Sequence, residues 1–546
     1  MSLDESKILI LSNQKRSNWY DYFDLGNVTI SFLDSFTYTD YSDFDFIIDD
    51  VERLDTYINI FDKNVKYIDI KIIIDRWMDV LYFDNAKKWF KYPNWKENTI
   101  AKIAEAMVIN YDYKHDFSSP MLFDYVRRKP VEEWLLKKGN NFCSMPYIHM
   151  AIESNGDIKP CCYGKPIENG NDKLNISGST IGESYMHPAR HEWIDSFDKN
   201  EQSKLCINCW KDNNRYVNRI KFSVQRHAID FTEEVMLGEK AERKLKWLEI
   251  KPGNRCNLKC RICGVHNSSQ WTKDAYQLNY ETKRSLTADT FKESEEFKWT
   301  QQCEWIDEEK VWNDINGMGE DLELIHIMGG EPFMVPEHFT LLQKIIEDQN
   351  LDHANIDLRY NTNGTKFPDD EQMEIIRQFR SVEMQLSIDD IGKRFEYARN
   401  LGVWDEVEEN LKKFSELNKT TNRLFNCRID CTVSMFNIFY LDEFEKKMNE
   451  LGFSIGKYAD HYVMAHWNDI RYLSDAAKQK VIEHYPNPSD WTSGTLKFML
   501  ESKPPAQTLD FKNKFMSTVN ILDRLRKENF AEVYPEWYSI LEEYNK

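Results

Sequence analysis

Apolar runs and amphipathic stretches alternate along most of this chain. Downstream of residue 245, six strand-like runs are separated by helical stretches, and this alternation predicts a parallel sheet that curves into a partial barrel of six β/α units. The six runs are Leu245–Ile250, Leu322–Met328, Asn355–Tyr360, Glu383–Ile388, Cys427–Met435 and Phe453–Ala465. The predicted fold class is therefore α/β.

The pattern upstream is different. Short apolar runs between residues 5 and 75 indicate a small α/β unit, whereas residues 140–215 are rich in Gly, Asn, Pro and Cys, which predicts a module held together by metal. The predicted units are an N-terminal α/β domain of unassigned role at 1–130, the cysteine-rich module at 140–215, the barrel core at 245–470 with an insertion at about 264–320, and a C-terminal helical extension at 471–546.

Composition and charge narrow the classes of function. The chain of 546 residues has a net charge of -20, and such a surface repels phosphate, so we expect no nucleic-acid partner. No apolar run approaches the roughly 18 residues of a membrane span, and Met1–Lys7 lacks the basic start of a secretory signal. We therefore expect a soluble, cytoplasmic protein without a membrane partner. In that compartment the 11 cysteines are not expected to form disulfides, so their clustering predicts metal ligation or catalysis.

Three cysteines in one short loop carry the most specific signal. Cys256, Cys260 and Cys263 form a C-x3-C-x2-C triad directly after the first strand of the core. Three thiolates can fill three corners of an iron-sulfur cube and leave the fourth iron open, whereas structural zinc prefers four protein ligands. Flanking positive side chains are expected to lower the pKa values of the cysteines. These side chains are Arg255, Lys259 and Arg261. A zinc knuckle or three unrelated buried thiols is the alternative interpretation.

This loop resembles that of the radical S-adenosylmethionine enzymes, whose three cysteines bind a [4Fe-4S] cluster with S-adenosylmethionine on the open iron. The resemblance implies a TIM-like core in which Cys256, Cys260 and Cys263 are the catalytic cluster ligands. Ile262 then occupies the hydrophobic position that faces the adenine in that family.

The end of the next strand supports the resemblance. Gly329-Gly330-Glu331-Pro332 is similar to the family's G-G-E-P motif, which holds the amine of S-adenosylmethionine. The two glycines lack Cβ atoms and are expected to let the backbone approach a ligand, while Glu331 offers a carboxylate to an ammonium. Taken alone, the segment could equally be an ordinary turn at the end of a strand.

Three weaker matches follow at the ends of later strands. A segment that looks like the family's T-N-G contributes Asn363 near the ribose. Ser387 and Asp389 lie where the family often has S-I-D-G, although Asp390 replaces the glycine. Asn437 ends a segment that resembles the family's T-V-x-x-x-N. The resemblance implies that these side chains contact cofactor or substrate.

A second group of cysteines lies in the cysteine-rich module. Its four candidate ligands are Cys143, Cys161, Cys206 and Cys209. Asn155-Gly156 is a strong hairpin signal that brings the first two together, and a C-x2-C turn supplies the others. Cys162 is not expected to be a ligand, because alternation along a strand points it away from its neighbour. Four cysteines around zinc is the alternative interpretation.

This second pattern resembles the twitch module, the short relative of the SPASM domain, which carries one auxiliary [4Fe-4S] cluster. The module follows the barrel in the better-known enzymes, whereas here it precedes the barrel, as in a subgroup with an N-terminal twitch module. The resemblance extends over roughly residues 140–546.

The resemblance implies an oxidoreductase or maturase that cleaves S-adenosylmethionine reductively and uses the 5′-deoxyadenosyl radical to take a hydrogen from a substrate. Twitch and SPASM enzymes mostly modify ribosomally made peptides or proteins, so a peptide is the first expectation, and a small alcohol or sugar dehydrogenase is the alternative. A non-catalytic iron-sulfur carrier or scaffold is the alternative of another class. An electron donor such as a flavodoxin or ferredoxin is the expected partner.

Overall fold

The computed structural model of this chain consists of two compact units. One unit comprises Met1–Gly139 and Ile220–Ala241, and the other comprises Asn140–Arg219 and Glu242–Lys546. The structure describes residues 7–11, 29–33, 46–48, 131–137, 142–199, 204–207, 209, 222–238, 242–283, 302–313, 318, 321–421, 424–455, 462–463, 467–502 and 514–545.

The first unit contains a three-stranded parallel sheet in the order β2-β1-β3. Its strands are β1 (Lys7–Leu11), β2 (Thr29–Leu33) and β3 (Phe46–Ile48). They coincide with three of the short apolar runs seen in the sequence. Most of the predicted 1–130 domain lies outside the described residues.

The strands of the second unit are β4 (His149–Ile152), β5 (Ile158–Lys159), β6 (Glu168–Asn169), β7 (Asp172–Lys173), β8 (Trp247–Ile250), β9 (Leu324–Ile327), β10 (Asp357–Thr362), β11 (Ser381–Leu386) and β12 (Phe425–Ile429). Seven of them form one sheet in the order β12-β11-β10-β9-β8-β4-β5. Every pairing in this sheet is parallel except that of β4 with β5. The prediction of a mixed α/β fold around a mostly parallel sheet is confirmed.

The principal helices are distributed over both units. In chain order they are α1 (Met145–Ile148), α2 (Ile181–Tyr185), α3 (Pro188–Asp198), α4 (Arg226–Met236), α5 (Thr272–Lys283), α6 (Glu309–Asn313), α7 (Glu337–Glu347), α8 (Asp370–Ile376), α9 (Gly392–Ala398), α10 (Trp404–Thr420), α11 (Leu441–Glu450), α12 (Asp475–His484), α13 (Asp490–Glu501), α14 (Lys514–Arg526), α15 (Phe530–Val533) and α16 (Pro535–Tyr544). Helix α4 belongs to the first unit and the others to the second. Among the described residues, no helix has the length and apolar character needed to cross a membrane.

A sixth parallel strand of the main sheet comes from the cysteine-rich module. Strand β4 pairs in parallel with β8, with His149 opposite Trp247. Of the predicted run Phe453–Ala465, only part is described, and there Tyr462 forms an isolated parallel bridge with Val433. A hydrophobic run indicates that a segment can be a strand but does not specify which sheet edge it joins, because the partner lies far away in the chain. The module and the core therefore share one sheet.

The main sheet has one apolar face and one polar face, because successive side chains of a strand point to opposite sides. Leu248, Ile325 and Leu358 lie in one register row of the apolar face and are at most 1% exposed. The other face carries hydrophilic side chains on five adjacent strands. We call this second set the polar face, and its residues are Glu249, His326, Arg359, Asn361, Glu383, Gln385 and Arg428.

The insertion after the triad packs against the hairpin of the cysteine-rich module. Trp305 is 1% exposed, and its indole N–H donates to the carbonyl of Ser154 at 2.9 Å. Gly156 lies so close to this ring that a Cβ there would be 3.0 Å from Cδ1 of Trp305. The Glu308 carboxylate accepts from the N–H of Gly178 at 2.6 Å. The insertion therefore fastens the module to the core.

A pair of glycine substitutions tests this hairpin packing. Gly156 has φ +84, and a Cβ there would lie 2.6 Å from Oδ1 of Asn175, whereas Gly170 has φ +66 with nothing within 4 Å. Alanine carries the strain of a positive φ at both sites, about 1–2 kcal/mol, but only at Gly156 does it also clash. We expect a lower urea midpoint for Gly156→Ala than for Gly170→Ala. Equal midpoints would contradict the packing described here.

Candidate active site

The cysteine triad lies in the loop that leaves the carboxyl end of β8. Cys256 and Cys260 are 8% and 4% exposed, and Cys263 is half-buried. The three cysteines pack with Leu258 and Ile262 into one cluster. The structure thus brings the three predicted ligands and the predicted adenine-facing residue together. Loops at this end of a parallel barrel are where active sites are found.

Crowding and burial dominate the electrostatics of the triad. Burial, and then the neighbouring Cys260, raises the pKa of Cys256 to about 12. A hydrogen bond between Cys263 and Cys260 lowers the pKa of Cys260, and the same bond, followed by burial, raises that of Cys263. The expected lowering of all three pKa values is therefore wrong for Cys256 and Cys263. Metal binding replaces the protons of such thiols, which relieves this crowding of charge.

The three cations of the triad loop contact carboxylates rather than thiols. This explains why they do not lower the pKa values of Cys256 and Cys263. Their partners are Asp307 and Glu337 for Arg255, Asp274 for Lys259, and Asp523 and Glu528 for Arg261, at 2.6–3.1 Å. Arg261 is completely buried, and its guanidinium lies 3.7 Å from the ring centre of Tyr397. The triad loop is therefore anchored to α14 and to the segment that follows it, as well as to the sheet.

Arg399 is the cation that contacts a triad thiol, and sequence reasoning missed it. Its Nη1 lies 3.8 Å from Sγ of Cys260, and its Nη2 forms an ion pair of 2.7 Å with Asp389. The adjoining backbone pairs with the triad loop, since the N–H of Arg261 donates to the carbonyl of Ala398 at 2.7 Å. Arg399 caps the end of α9 outside any motif, so no sequence signal marks it.

The two glycines of the G-G-E-P segment make room for the triad loop. A Cβ on Gly330 would lie 2.3 Å from the carbonyl oxygen of Arg255, and one on Gly329 would lie 2.8 Å from Cβ of Lys251. Both glycines have positive φ. The N–H of Glu331 then donates to the same Arg255 carbonyl at 2.8 Å. The glycines thus allow a close approach between two protein segments, and the predicted approach of a ligand stays a prediction.

Glu331 joins the ends of β9 and β10 through its carboxylate. It is fully buried and accepts from the hydroxyl of Thr362 and the N–H of Asn363, both at 2.8 Å, and from the N–H of Phe333 at 3.3 Å. Burial outweighs these donors and raises the pKa of Glu331 to about 7. A carboxylate has about four acceptor sites, so the three donors leave room for an ammonium. Pro332 begins the short helical turn that follows.

Asn363 lies beside the triad, and Ser387 lies one strand further along. The side-chain amide of Asn363 donates to Sγ of Cys256 at 3.7 Å and to Oδ1 of Asn257 at 3.0 Å. Ser387 is half-buried, and its N–H donates to the carbonyl of Thr362 at 2.8 Å. Of these two predicted contacts, Asn363 therefore touches the triad loop directly.

Asp389 and Asn437 hold the ends of β11 and β12 together. The amide of Asn437 donates to the carbonyl of Asp389 at 2.8 Å, and its oxygen accepts from the N–H of Ser434 at 2.8 Å. Oδ1 of Asp389 accepts from the N–H of Thr432 at 2.9 Å. Asn437 thus contacts protein groups through both ends of its amide, whereas Asp389 reaches the triad through Arg399.

The second group of cysteines occupies one region of the module. Cys143, Cys206 and Cys209 are buried, and Cys161 is half-buried. Burial, followed by the nearby Cys143 and Cys209, raises the pKa of Cys161 to about 12. Cys162 has different neighbours, because burial and then the charges of Glu249 and Cys161 raise its pKa. The structure therefore brings Cys143, Cys161 and Cys209 near one another and directs Cys162 toward the main sheet.

The donor chemistry at both groups consists of thiols. Within the part of the chain that the structure describes, no three His, Cys, Asp or Glu side chains meet closely enough to bind a single metal ion. The thiol sets fit iron-sulfur clusters on chemistry, and the open acceptor site of Glu331 fits the amine of S-adenosylmethionine.

Comparison with known families and proteins gives one informative match. Residues 250–429 match the family model of the Radical SAM superfamily. This match agrees with the resemblance seen in the sequence for this segment, which is about a third of the chain. Members of that superfamily are enzymes that use a [4Fe-4S] cluster and S-adenosylmethionine. A search of curated proteins found no significant match.

Solved structures with partial similarity include native anSMEcpe with bound AdoMet, at 17% identity and TM-score 0.25 over 48% of this chain and 68% of that one. Another is Streptococcus suis SuiB bound to precursor peptide SuiA, at 15% identity and TM-score 0.23 over 57% of this chain and 62% of that one. Scores this low establish nothing further about this chain.

The raised pKa of Glu331 predicts a pH dependence of stability. Its pKa moves from 4.5 to about 7 on burial, so the folded state binds the proton more tightly than the unfolded state, and the stability from this group is lost as pH rises through about 7. In urea unfolding without added cofactor, Glu331→Gln should remove this loss between about pH 5 and about pH 8. Glu347→Gln, on the exposed side of α7, is the matched control and should keep the wild-type pH profile. Identical profiles of stability against pH for both variants would be inconsistent with a raised pKa at Glu331.

Proposed function

We propose that this protein is a radical S-adenosylmethionine enzyme that takes a hydrogen atom from a peptide or protein substrate. The observation that carries the proposal is the packing of Cys256, Cys260 and Cys263 at the end of β8, beside the buried Glu331 carboxylate with one open acceptor site. The Radical SAM superfamily match over the same strands supports it. The peptide substrate class rests on the resemblance of the upstream module to twitch modules.

The triad cysteines would hold a [4Fe-4S] cluster, and Glu331 would accept the ammonium of S-adenosylmethionine. When bound, these two groups together supply a 5′-deoxyadenosyl radical that can remove a hydrogen atom from a substrate. The predicted contacts Ile262, Gly329, Gly330, Pro332, Asn363, Ser387, Asp389 and Asn437 all lie on or beside the loops at this end of the sheet.

The chain itself positions and shields these groups. Leu258 is completely buried among the triad cysteines, and this apolar packing excludes water from their inner side. Asn363 donates to Cys256, and its N–H fixes the Glu331 carboxylate. One loop contact thus links the thiols to the amine-binding carboxylate. Such preorganised donors lower the cost of holding charge in a dry site.

Cys143, Cys161, Cys206 and Cys209 are proposed to bind one auxiliary [4Fe-4S] cluster in a twitch-type module. Strand β4 of this module is paired with β8, the strand that leads into the triad loop. A cluster held there can accept an electron from a substrate radical or pass reducing electrons inward from a donor such as a flavodoxin or ferredoxin.

Iron counting and product analysis test the two proposed clusters. After anaerobic reconstitution, the wild type should bind about eight irons and form 5′-deoxyadenosine with dithionite and S-adenosylmethionine. Cys256→Ala should lose 5′-deoxyadenosine formation, because one corner of the triad is missing. Cys209→Ala should lose about half of the iron, whereas the buried Cys427→Ala should keep it all. A wild type that binds fewer than about five irons and forms no 5′-deoxyadenosine would refute both clusters.

Charge substitutions test Arg399 as a positioning residue. Arg399→Met removes a positive charge beside Cys260 and should lower the midpoint potential of the triad cluster, because reduction adds negative charge. Asp389→Asn removes the carboxylate that opposes this charge and should raise the potential. Arg394→Met is the control, since Arg394 pairs with Asp390. The readout is a potentiometric titration followed by electron paramagnetic resonance, and shifts of the same sign in both variants would rule out this electrostatic role.

A further inference from the structure

Hydrogen bonds connect the residues of the polar face across three neighbouring strands. Nε2 of His326 lies 2.6 Å from Oδ1 of Asn361, and the amide of Asn361 donates to Oε1 of Gln385 at 2.8 Å. Gln385 donates in turn to Glu383 at 3.2 Å, and Arg359 donates to the same carboxylate at 2.6 Å. A network of this kind fixes the direction of each bond, because every amide has one donor end and one acceptor end.

The direction of these bonds sets the tautomer of His326. The amide nitrogen of Asn361 donates to Gln385, so its oxygen must accept from the Nε2–H of His326. Burial lowers the pKa of His326 to about 4, so the ring is neutral at physiological pH. In a neutral ring with a proton on Nε2, Nδ1 carries a lone pair and is an acceptor.

Two buried acceptors of the polar face have no partner among the residues that the structure describes. They are Nδ1 of His326 and Oε1 of Glu249. The two residues are directly opposite one another on β9 and β8, and they are 6% and 2% exposed. Buried acceptors are nearly always paired in native proteins, and an unmade bond in such a place is costly. Two adjacent acceptors without donors therefore indicate a place for a ligand that carries N–H or O–H groups.

Glu249 contributes a negative charge to this place. Burial alone would raise its pKa, but the hydrogen bond and charge of His149 outweigh burial and hold the pKa at about 2. His149 approaches only the other oxygen, with its Nε2 3.6 Å from Oε2. The nearby cations contact other carboxylates, since Arg359 contacts Glu383 and Lys251 contacts Glu153. Oε1 of Glu249 is thus open to a further positive donor.

The polar face is continuous with the residues that contact the triad. Every second residue of β10 and its continuation points to the same side, as Arg359, Asn361 and Asn363 do. The last of these donates to Sγ of Cys256. His326 and Glu249 are in register with Arg359, four residues before Asn363, so with a rise of about 3.3 Å per residue they lie about 13 Å along the strand from Asn363. A group bound between Glu249 and His326 would therefore lie about 13 Å along the sheet from the level of Asn363, and the rest of an extended ligand would point along the polar face toward the proposed cofactor site.

We propose that Glu249 and His326 bind a protonated amine or guanidine of the substrate. Ammonium and guanidinium groups present several N–H donors, so one such group can donate to both open acceptors at once, and the bond to a carboxylate is charge-assisted. An anionic group would be repelled by Glu249 and would find no donor on either atom. This inference rests on the proposed function and specifies the substrate class: a peptide with a lysine or arginine side chain, or a small amine.

Four probes with the same carbon chain test this chemistry on the full-length wild-type protein. They are n-butylguanidinium, n-butylammonium, n-butanol and pentanoate, titrated by calorimetry and by the shift of thermal unfolding. The two cations should bind saturably, and the alcohol and the carboxylate should not. Equal binding of n-butanol, or no binding of either cation, would overturn the proposal. This comparison needs no variant, so it does not depend on whether a substitution is tolerated.

Two variants locate the binding. Glu249→Gln keeps the shape of the side chain and removes its charge, and it should weaken cation binding by roughly tenfold or more. Glu323→Gln removes a carboxylate that precedes β9 and pairs with Lys246 away from the polar face, and it should bind the cations as the wild type does. Unchanged affinity in Glu249→Gln would place the cation elsewhere and refute the site.

Two further measurements are needed. One distinguishes a peptide substrate from a small amine, and the other distinguishes failure of the substrate inference from failure of the proposed function. Tighter binding of N-acetyl-arginine N-methylamide than of n-butylguanidinium indicates a peptide substrate, and weaker binding indicates a small amine. Formation of 5′-deoxyadenosine is measured separately on the wild type. If it forms while no cation binds, the substrate inference alone fails. If a cation binds while no 5′-deoxyadenosine forms, the proposed function fails and the binding site stands.

Discussion

The close packing of the triad loop against the end of β9 is the constraint on which the rest of the site depends. The carbonyl of Arg255 lies where a side chain at Gly330 would be, and it accepts from the N–H of Glu331. This contact is possible only for glycine, because any Cβ would overlap a backbone oxygen. Glu331 then fixes Thr362 and Asn363, and Asn363 contacts Cys256. One steric requirement therefore aligns the thiols, the buried carboxylate and the end of β10.

Charge is distributed around this site in a way that the local sequence does not reveal. The cations beside the triad cysteines anchor the loop to distant carboxylates, and Arg261 binds Asp523 and Glu528 near the end of the chain. The cation that contacts a thiol is Arg399, which reaches the loop from the end of α9. Anchoring and electrostatic balance are thus carried by different arginines, so the loop is held firmly without placing several positive charges on the thiols.

The main sheet unites the three parts of the site. Strand β4 brings the cysteine-rich module alongside β8, and the triad loop leaves the carboxyl end of β8. The polar face extends from β8 across the neighbouring strands to β12. The apolar face is buried, while the opposite face keeps hydrophilic side chains that bond with one another. Parallel strands place all their carboxyl ends along one edge, which is why motifs separated by long stretches of sequence meet there.

The sequence by itself determined the features that depend on local spacing. Among these are the cysteine triad, the Gly-Gly-Glu-Pro turn, the parallel α/β pattern and the hairpin at Gly156, because each needs only neighbouring residues to be recognised. The tertiary structure decided which strand joins which edge, which carboxylate takes each cation and which acceptors are left open. Arg399 and Cys260 are 139 residues apart in the chain, and no periodicity or motif relates them. Contacts between distant segments arise from the packing of complete elements, and the short-range pattern of a sequence does not contain that information.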